Sequence, residues 1–230
     1  MTVEKLNVIF IGASGMVGSA VLQECLENPA VAKVLSVGRS SCGRQNPKLT
    51  ELIHKDMYDL KPVAEQLKGY NACFYTVGVT SAGMSEADYT RLTYDMTKAI
   101  ADVLLPLNPD MAIVFVSGGG SDSTEKGKIM WARVKGKAEN LLLKMPFRNV
   151  TIIRLGGLVP AKGFKSKTFL YRLFYVPLGP ILPLLAKLFP KVVTTPQILG
   201  RAFIRGAQGK APQQILETAD IHTVGSPALP

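Results

Sequence analysis

Between Asn140 and Leu216 this 230-residue chain has no Asp or Glu, while the same stretch holds twelve Lys and Arg. The formal net charge of +10 is therefore concentrated there, and the rest of the chain is slightly acidic. One basic lobe or face fits an anionic partner: a phosphorylated cofactor, an acidic substrate or anionic lipid, with a solvated basic surface as the plain alternative. Nucleic acid is not expected, because the basic half carries no recognition motif and no aromatic-basic platform. Histidine is scarce. His54 and His222 stand far apart in sequence and near no nucleophile, so both are expected to be structural. The three cysteines, Cys25, Cys42 and Cys73, form no CxxC and no Cys/His cluster. That excludes a disulfide framework and predicts no metal site, and it points to a reducing compartment, with the cytoplasm as the default address.

Long apolar runs are also missing. Leu173–Ala186 falls short of the roughly 20 residues a membrane span needs, and prolines at 177, 180 and 183 would break a helix there. No targeting segment is read at the start: Met1–Lys5 is polar, and Val8–Ile11 runs straight into glycines as a buried strand would. No repeat or low-complexity linker occurs.

What is present is an apolar fraction of 47%, enough for one sizeable core and a single domain over 1–230. Short β-branched runs alternate with helical patterns. Strands are expected at Asn7–Ile11, Val34–Val37, Glu51–His54, Ala72–Val77, Met111–Ser117 and Val150–Leu155. Helices are expected at Met16–Glu27, around Pro62–Lys68, at Glu86–Leu105 behind a Ser85 N-cap, and at Ile129–Lys144. In Glu86–Leu105, Leu92, Met96, Ala99, Ile100, Val103 and Leu104 fall on one core stripe. Strand–helix alternation implies right-handed crossovers and an α/β, Rossmann-type, doubly wound parallel sheet. After Val159 the regularity is expected to fail. The basic, apolar segment 160–195 reads as a small C-terminal substrate lobe, or as an element (164–191) lying on an anionic membrane surface.

The chemistry begins at Gly12-Ala13-Ser14-Gly15-Met16-Val17-Gly18, where a strand turns into a helix. The first glycine permits the tight turn and the second lets backbone N–H groups approach a pyrophosphate. Gly18 lets the helix pack on the strand, and the helix N-terminus supplies positive potential. NAD-selective domains end the second strand on a carboxylate that bonds the ribose 2′-OH. Here the strand ends Val37-Gly38-Arg39-Ser40-Ser41. A guanidinium at Arg39, with a hydroxyl donor from Ser40 or Ser41, suits a 2′-phosphate, so the expected cofactor is NADP(H).

With these residues the chain resembles the short-chain dehydrogenase/reductase superfamily over roughly Asn7–Leu158. Within it, the GxxGxxG loop, Val37-Gly38-Arg39 and the helix Trp131–Glu139 resemble the atypical NmrA-like and Tat-interacting oxidoreductase-like proteins. Phe164–Gly200 resembles the basic tail of bacterial relatives. The resemblance implies that Asp56 and Met57 contact adenine, and that Thr76, Val77 and Gly78 line the cofactor. It further implies that Lys135 bonds the nicotinamide ribose, that Leu155 sits beside the carboxamide with Gly156 and Gly157, and that Ser117 (or nearby Ser121 or Ser123) polarises a carbonyl.

The family pattern on that helix is Tyr-x-x-x-Lys, in which the phenol exchanges a proton with the substrate oxygen. Here Trp131 holds the tyrosine's position in register with Lys135. An indole N–H donates a hydrogen bond but does not titrate near neutral pH. Three readings follow. Another group supplies the proton: Ser121, Ser123, water, or a tyrosine such as Tyr171 or Tyr175. Alternatively the protein binds NADP(H) without turnover, as a regulator with Trp131 stacked on a ligand. Otherwise the register differs and Trp131 is a core residue. The leading expectation is an NADP(H)-dependent oxidoreductase acting on a small or apolar carbonyl or alcohol.

Overall fold

The computed structural model describes residues 4–160 and 192–227. From the N-terminal side come β1 (Leu6–Ile11), α1 (Met16–Glu27), β2 (Val31–Gly38), β3 (Leu49–Ile53), a 3₁₀ segment (Lys61–Leu67) and β4 (Ala72–Tyr75). Next is a long helix made of α2 (Glu86–Thr90) and α3 (Met96–Leu107), joined through a wider, i→i+5 bonded turn at Arg91–Asp95. Then follow β5 (Ala112–Gly118), α4 (Met130–Lys144), β6 (Asn149–Leu155) and the two-residue β7 (Gly157–Leu158). Beyond the gap lie β8 (Val193–Thr194), α5 (Pro196–Ala207), β9 (Ile215–Leu216) and α6 (Thr218–Gly225).

The seven-stranded sheet has the order β3-β2-β1-β4-β5-β6-β9, and every pairing in it is parallel. The doubly wound expectation therefore holds. Its physical basis is the two-residue period of a strand. Val8, Phe10, Phe74, Val114 and Ile153 point to one face and pack with α1, α5 and α6. Ile9, Ile11, Cys73, Tyr75, Phe115 and Ile152 point to the other and pack with α3 and α4. Both faces are covered, so the central strands read as continuous apolar runs.

Two expectations need correction. The helix expected around Pro62–Lys68 is a 3₁₀ segment over Lys61–Leu67, one short connector with Pro62 in its first turn. The region after Val159 is not irregular throughout, because 192–227 contains two helices and two strands. Thr195 caps α5 by accepting from the Ile198 N–H, and Pro196 opens it, a start signal overlooked inside an irregular-looking segment. β9 has two residues and exists through pairing, Ile152 with Ile215 and Ile153 with Leu216. The lobe of 160–195, apart from its ends, lies outside the described residues, as do Tyr171, Tyr175 and the surface element 164–191. Among the described residues no helix is long and apolar enough to cross a membrane.

The acid-free stretch is neutralised in part from its flanks. Arg154 pairs with Glu139 at 2.6 Å and with Glu217 at 3.2 Å, the acids that border the stretch on either side. Arg201 meets Glu24 at 3.4 Å, and Arg205 donates to the carbonyls of Val224 and Ser226. Six of the twelve cations (Lys162, Lys165, Lys167, Arg172, Lys187 and Lys191) lie outside the described residues.

Candidate dinucleotide site

The strand order reverses direction between β1 and β4, and this is where a doubly wound sheet opens a crevice at its carboxyl edge. A hollow of about 280 Å³ lies there, lined among others by Gly12, Gly15, Arg39, Met57, Val77 and Leu92. The turn leading into it depends on glycine. Gly12 has φ +92°, a left-handed conformation, and a Cβ there would lie 2.9 Å from the Thr76 carbonyl carbon and from Val77 N. A Cβ on Gly18 would overlap the Gly12 carbonyl oxygen and come within 2.9 Å of Thr76 Oγ1. Thr76 itself anchors the floor, since its N–H and its hydroxyl both donate to Ile11 O, at 2.8 and 3.1 Å. No side chain caps α1, and its first turn carries no acidic residue. Its leading N–H groups are thus available to an anion. A pyrophosphate fits this cradle.

Ser14, Gly15, Ser40 and Gly78 line the hollow, together with Gly12, Arg39, Met57 and Val77. Ala13 does not: it is 4% exposed and packs into the core beneath the loop. Met16 and Val17 form the first turn of α1 and are not among the residues that line the hollow. Asp56 lies in an adjoining hollow with Lys55 and Tyr58. Its carboxylate accepts from Tyr58 N at 2.9 Å. Leu155 is buried in the core, and its carbonyl accepts from Gly119 N at 2.9 Å.

Several lining residues escaped the sequence reading. Leu92 and Met96 belong to the apolar stripe of the long helix, yet they also wall the crevice. The wide turn at Arg91–Asp95 changes the helical phase between them, and periodicity carries no signal for that. Tyr58 pins this turn by donating its hydroxyl to Arg91 O at 3.1 Å. Glu51 stands on β3 beside the cofactor loop, but its carboxylate is used inward. It accepts from Cys42 N at 2.6 Å and Ser41 Oγ at 2.8 Å, and the first of these holds its pKa below the usual carboxylate range. Ser41 is therefore occupied, and Ser40 is the serine of this loop that lines the hollow.

The expected catalytic residues gather at the end of β5 rather than in the lining of the main hollow. Ser117 is buried, with its Oγ 2.8 Å from Ser121 Oγ, and Ser121 in turn donates to Gly118 O at 2.8 Å. The Trp131 ring lies against this turn: a Cβ on Gly118 would be 3.3 Å from it. The indole is half-buried, so Trp131 is no ordinary core residue. One helical turn on, Lys135 is buried, with Nζ 3.4 Å from Val116 O and 5.3 Å from the Phe115 ring centre. Burial pushes its ammonium pKa down to about 8, against a smaller upward pull from Glu139. One turn further, Glu139 is fully buried and paired with Arg154. Arg154 also holds Ser123 Oγ at 2.5 Å. Ser123 is thus committed to structure. His54 and His222 sit within hydrogen-bond distance of backbone carbonyls, Asp59 O at 2.8 Å and Val193 O at 3.0 Å. Among the described residues no group of three or more His, Cys, Asp or Glu converges as a metal cage would.

Sheet order, glycine cradle and crevice together define a Rossmann-type dinucleotide-binding fold. Solved structures share it. The chain aligns with the enzyme WbmF of Bordetella bronchiseptica, solved with NAD+, at TM-score 0.66 and 14% identity over 97% of this chain and 78% of that one. It aligns with a short chain dehydrogenase family protein of Francisella tularensis at TM-score 0.62 and 17% identity, over 93% and 96%. At such identities the likeness is one of fold. No family model matches the sequence. Among curated proteins it is 29% identical over 160 residues to the mitochondrial protein fmp52 of Aspergillus fumigatus, which covers 65% of each chain. The chain thus matches about two thirds of that relative's length. Relatives with the same name come from other fungi. These matches lend nothing to the finer placement beside NmrA-like or bacterial proteins. They overturn the cytoplasmic address, because the matched relatives are named mitochondrial. Three free cysteines fit a reducing compartment, but they do not distinguish one compartment from another.

Proposed function

We propose that this protein is an NADP(H)-dependent oxidoreductase of the short-chain type, acting on a small or apolar carbonyl or alcohol. The observation that carries the reading is Arg39 on the crevice wall, where an NAD-selective domain places a carboxylate. The one nearby acid on β3, Glu51, is turned to the loop backbone. In this reading the turn from Gly12 and the first N–H groups of α1 hold the pyrophosphate, and Met57 and Leu92 flank the adenine. Arg39 and Ser40 take the 2′-phosphate, and Lys135 serves the nicotinamide ribose. The cofactor, when bound, supplies or accepts a hydride. The accompanying proton passes through the hydroxyl pair Ser117–Ser121, with solvent as its source, because Trp131 does not titrate. The fold of WbmF, solved with NAD+, supports a nicotinamide dinucleotide in general, and Arg39 supports the phosphorylated form.

A second reading, an NADP(H)-binding regulator without turnover, is favoured by one observation. Around Trp131 the Ser117 hydroxyl is engaged with Ser121, and the Lys135 ammonium is turned to Val116 O. The test is a titration of the purified protein with NADPH and NADH, read by energy transfer from Trp131, followed by NADPH oxidation with a carbonyl panel. Tight NADPH and weak NADH binding, with the preference lost in Arg39→Asp, is the expected result. An NADPH-to-NADH ratio unchanged by Arg39→Asp would sink the cofactor assignment, and binding without any oxidation would favour the regulator.

A further inference from the structure

We propose that Lys55 is a second specificity-determining cation, reaching from the loop after β3 to share the 2′-phosphate with Arg39. The inference rests on the NADP(H) reading and adds a residue from the loop after β3 to it. Beside the main crevice lies an adjoining hollow of about 330 Å³ that shares Arg39, Met57, Leu92 and Met96 with it and adds Lys55, Asp56 and Tyr58. The two hollows are separated by a shared wall of the four common residues, and Arg39 stands on it. Lys55 is tied to that wall, because its Nζ donates to Arg39 O at 3.0 Å. An ammonium has three hydrogens, so this bond fixes the lysine and leaves two donors free.

The surrounding charges support the same assignment. Neither Arg39 nor Lys55 has a carboxylate partner among the described residues. The acids that could have neutralised them are engaged with backbone amides: Glu51 with Cys42 N, Asp56 with Tyr58 N, and Asp59 with Lys61 N. Two neighbouring cations left unpaired at this wall repel each other and invite an anion. A phosphate monoester carries close to two negative charges at neutral pH. Arg39 alone matches one of them, and Lys55 supplies the other. NADH, which lacks this group, gains nothing from Lys55.

The test compares wild type, Lys55→Gln, Lys55→Arg and Arg39→Gln in titrations with NADPH, NADH and 2′,5′-ADP at low and high salt. Lys55→Gln is expected to weaken NADPH and 2′,5′-ADP about ten-fold, the size of one charge-assisted hydrogen bond, and to leave NADH nearly unchanged. Lys55→Arg should restore most of the loss, and the salt dependence of NADPH binding should flatten in Lys55→Gln. Equal weakening of NADPH and NADH would mean that Lys55 only holds the Arg39 backbone, and would overturn the inference. So would no change at all. If the wild type prefers NADPH and Arg39→Gln abolishes the preference while Lys55→Gln does not, this inference alone fails. A wild type with no preference for NADPH overturns the cofactor reading as well.

Discussion

Lys135→Met isolates the energetic cost of placing an ammonium inside this fold. Lys135 is 8% exposed, and its Nζ has only a long 3.4 Å contact to Val116 O and the Phe115 ring for company. Burial lowers its pKa from 10.5 to about 8, with Glu139 offsetting part of the effect. The folded chain therefore binds this proton less tightly than the unfolded chain. The resulting penalty is fully present below about pH 8 and fades as the pH rises towards 10.5. The gap corresponds to about 3 kcal/mol. Methionine fills nearly the same volume without the charge, at a packing cost of up to about 1 kcal/mol. Urea unfolding at pH 7, 8, 9 and 10 should find the variant more stable at pH 7 by about 2–3 kcal/mol, with the difference shrinking steadily to pH 10. Tyrosines and cysteines also titrate in this range, but they are common to both proteins and cancel in the difference. A difference independent of pH, or a wild type more stable at pH 7, would refute the reasoning. NADPH should bind the variant more weakly even so, which would mark Lys135 as a residue kept for the cofactor at a cost in stability.

Two further outcomes follow from the packing. Gly18→Ala drives a Cβ into the Gly12 carbonyl oxygen, so it should abolish dinucleotide binding in calorimetry and lower stability by about 1–3 kcal/mol, as overpacking does; retained binding would mean that the cradle is looser than described. Glu139→Gln leaves the Arg154 guanidinium, with its side chain only 13% exposed, facing a neutral group. With Glu217 still 3.2 Å from Arg154, the loss should cost about 1–3 kcal/mol in denaturant unfolding, and no measurable change would show that Glu217 alone compensates the charge.

Much of the site was legible in local sequence. Gly12 and Gly18 announce themselves because only glycine tolerates the turn's φ and the helix–strand approach, and both constraints act within seven residues of chain. Arg39 was legible because it ends a strand whose neighbour carries the glycine turn. Leu92 and Met96 were not, since a wide helical turn altered their phase and sent residues of the core stripe to the crevice wall as well. Nor was the role of Glu51, a polar residue on a short strand whose partner is set by a loop folding back over it.

The sequence by itself determined the doubly wound class, because strands covered on both faces must be apolar without alternation and the helices between them must be amphipathic. Only the tertiary structure decided how the charges are used. Glu139 and Glu217 are 78 positions apart yet meet on Arg154, and Lys55 reaches Arg39 across the edge of the sheet. Charge pairing depends on distance in space and on burial, and neither is set by separation along the chain.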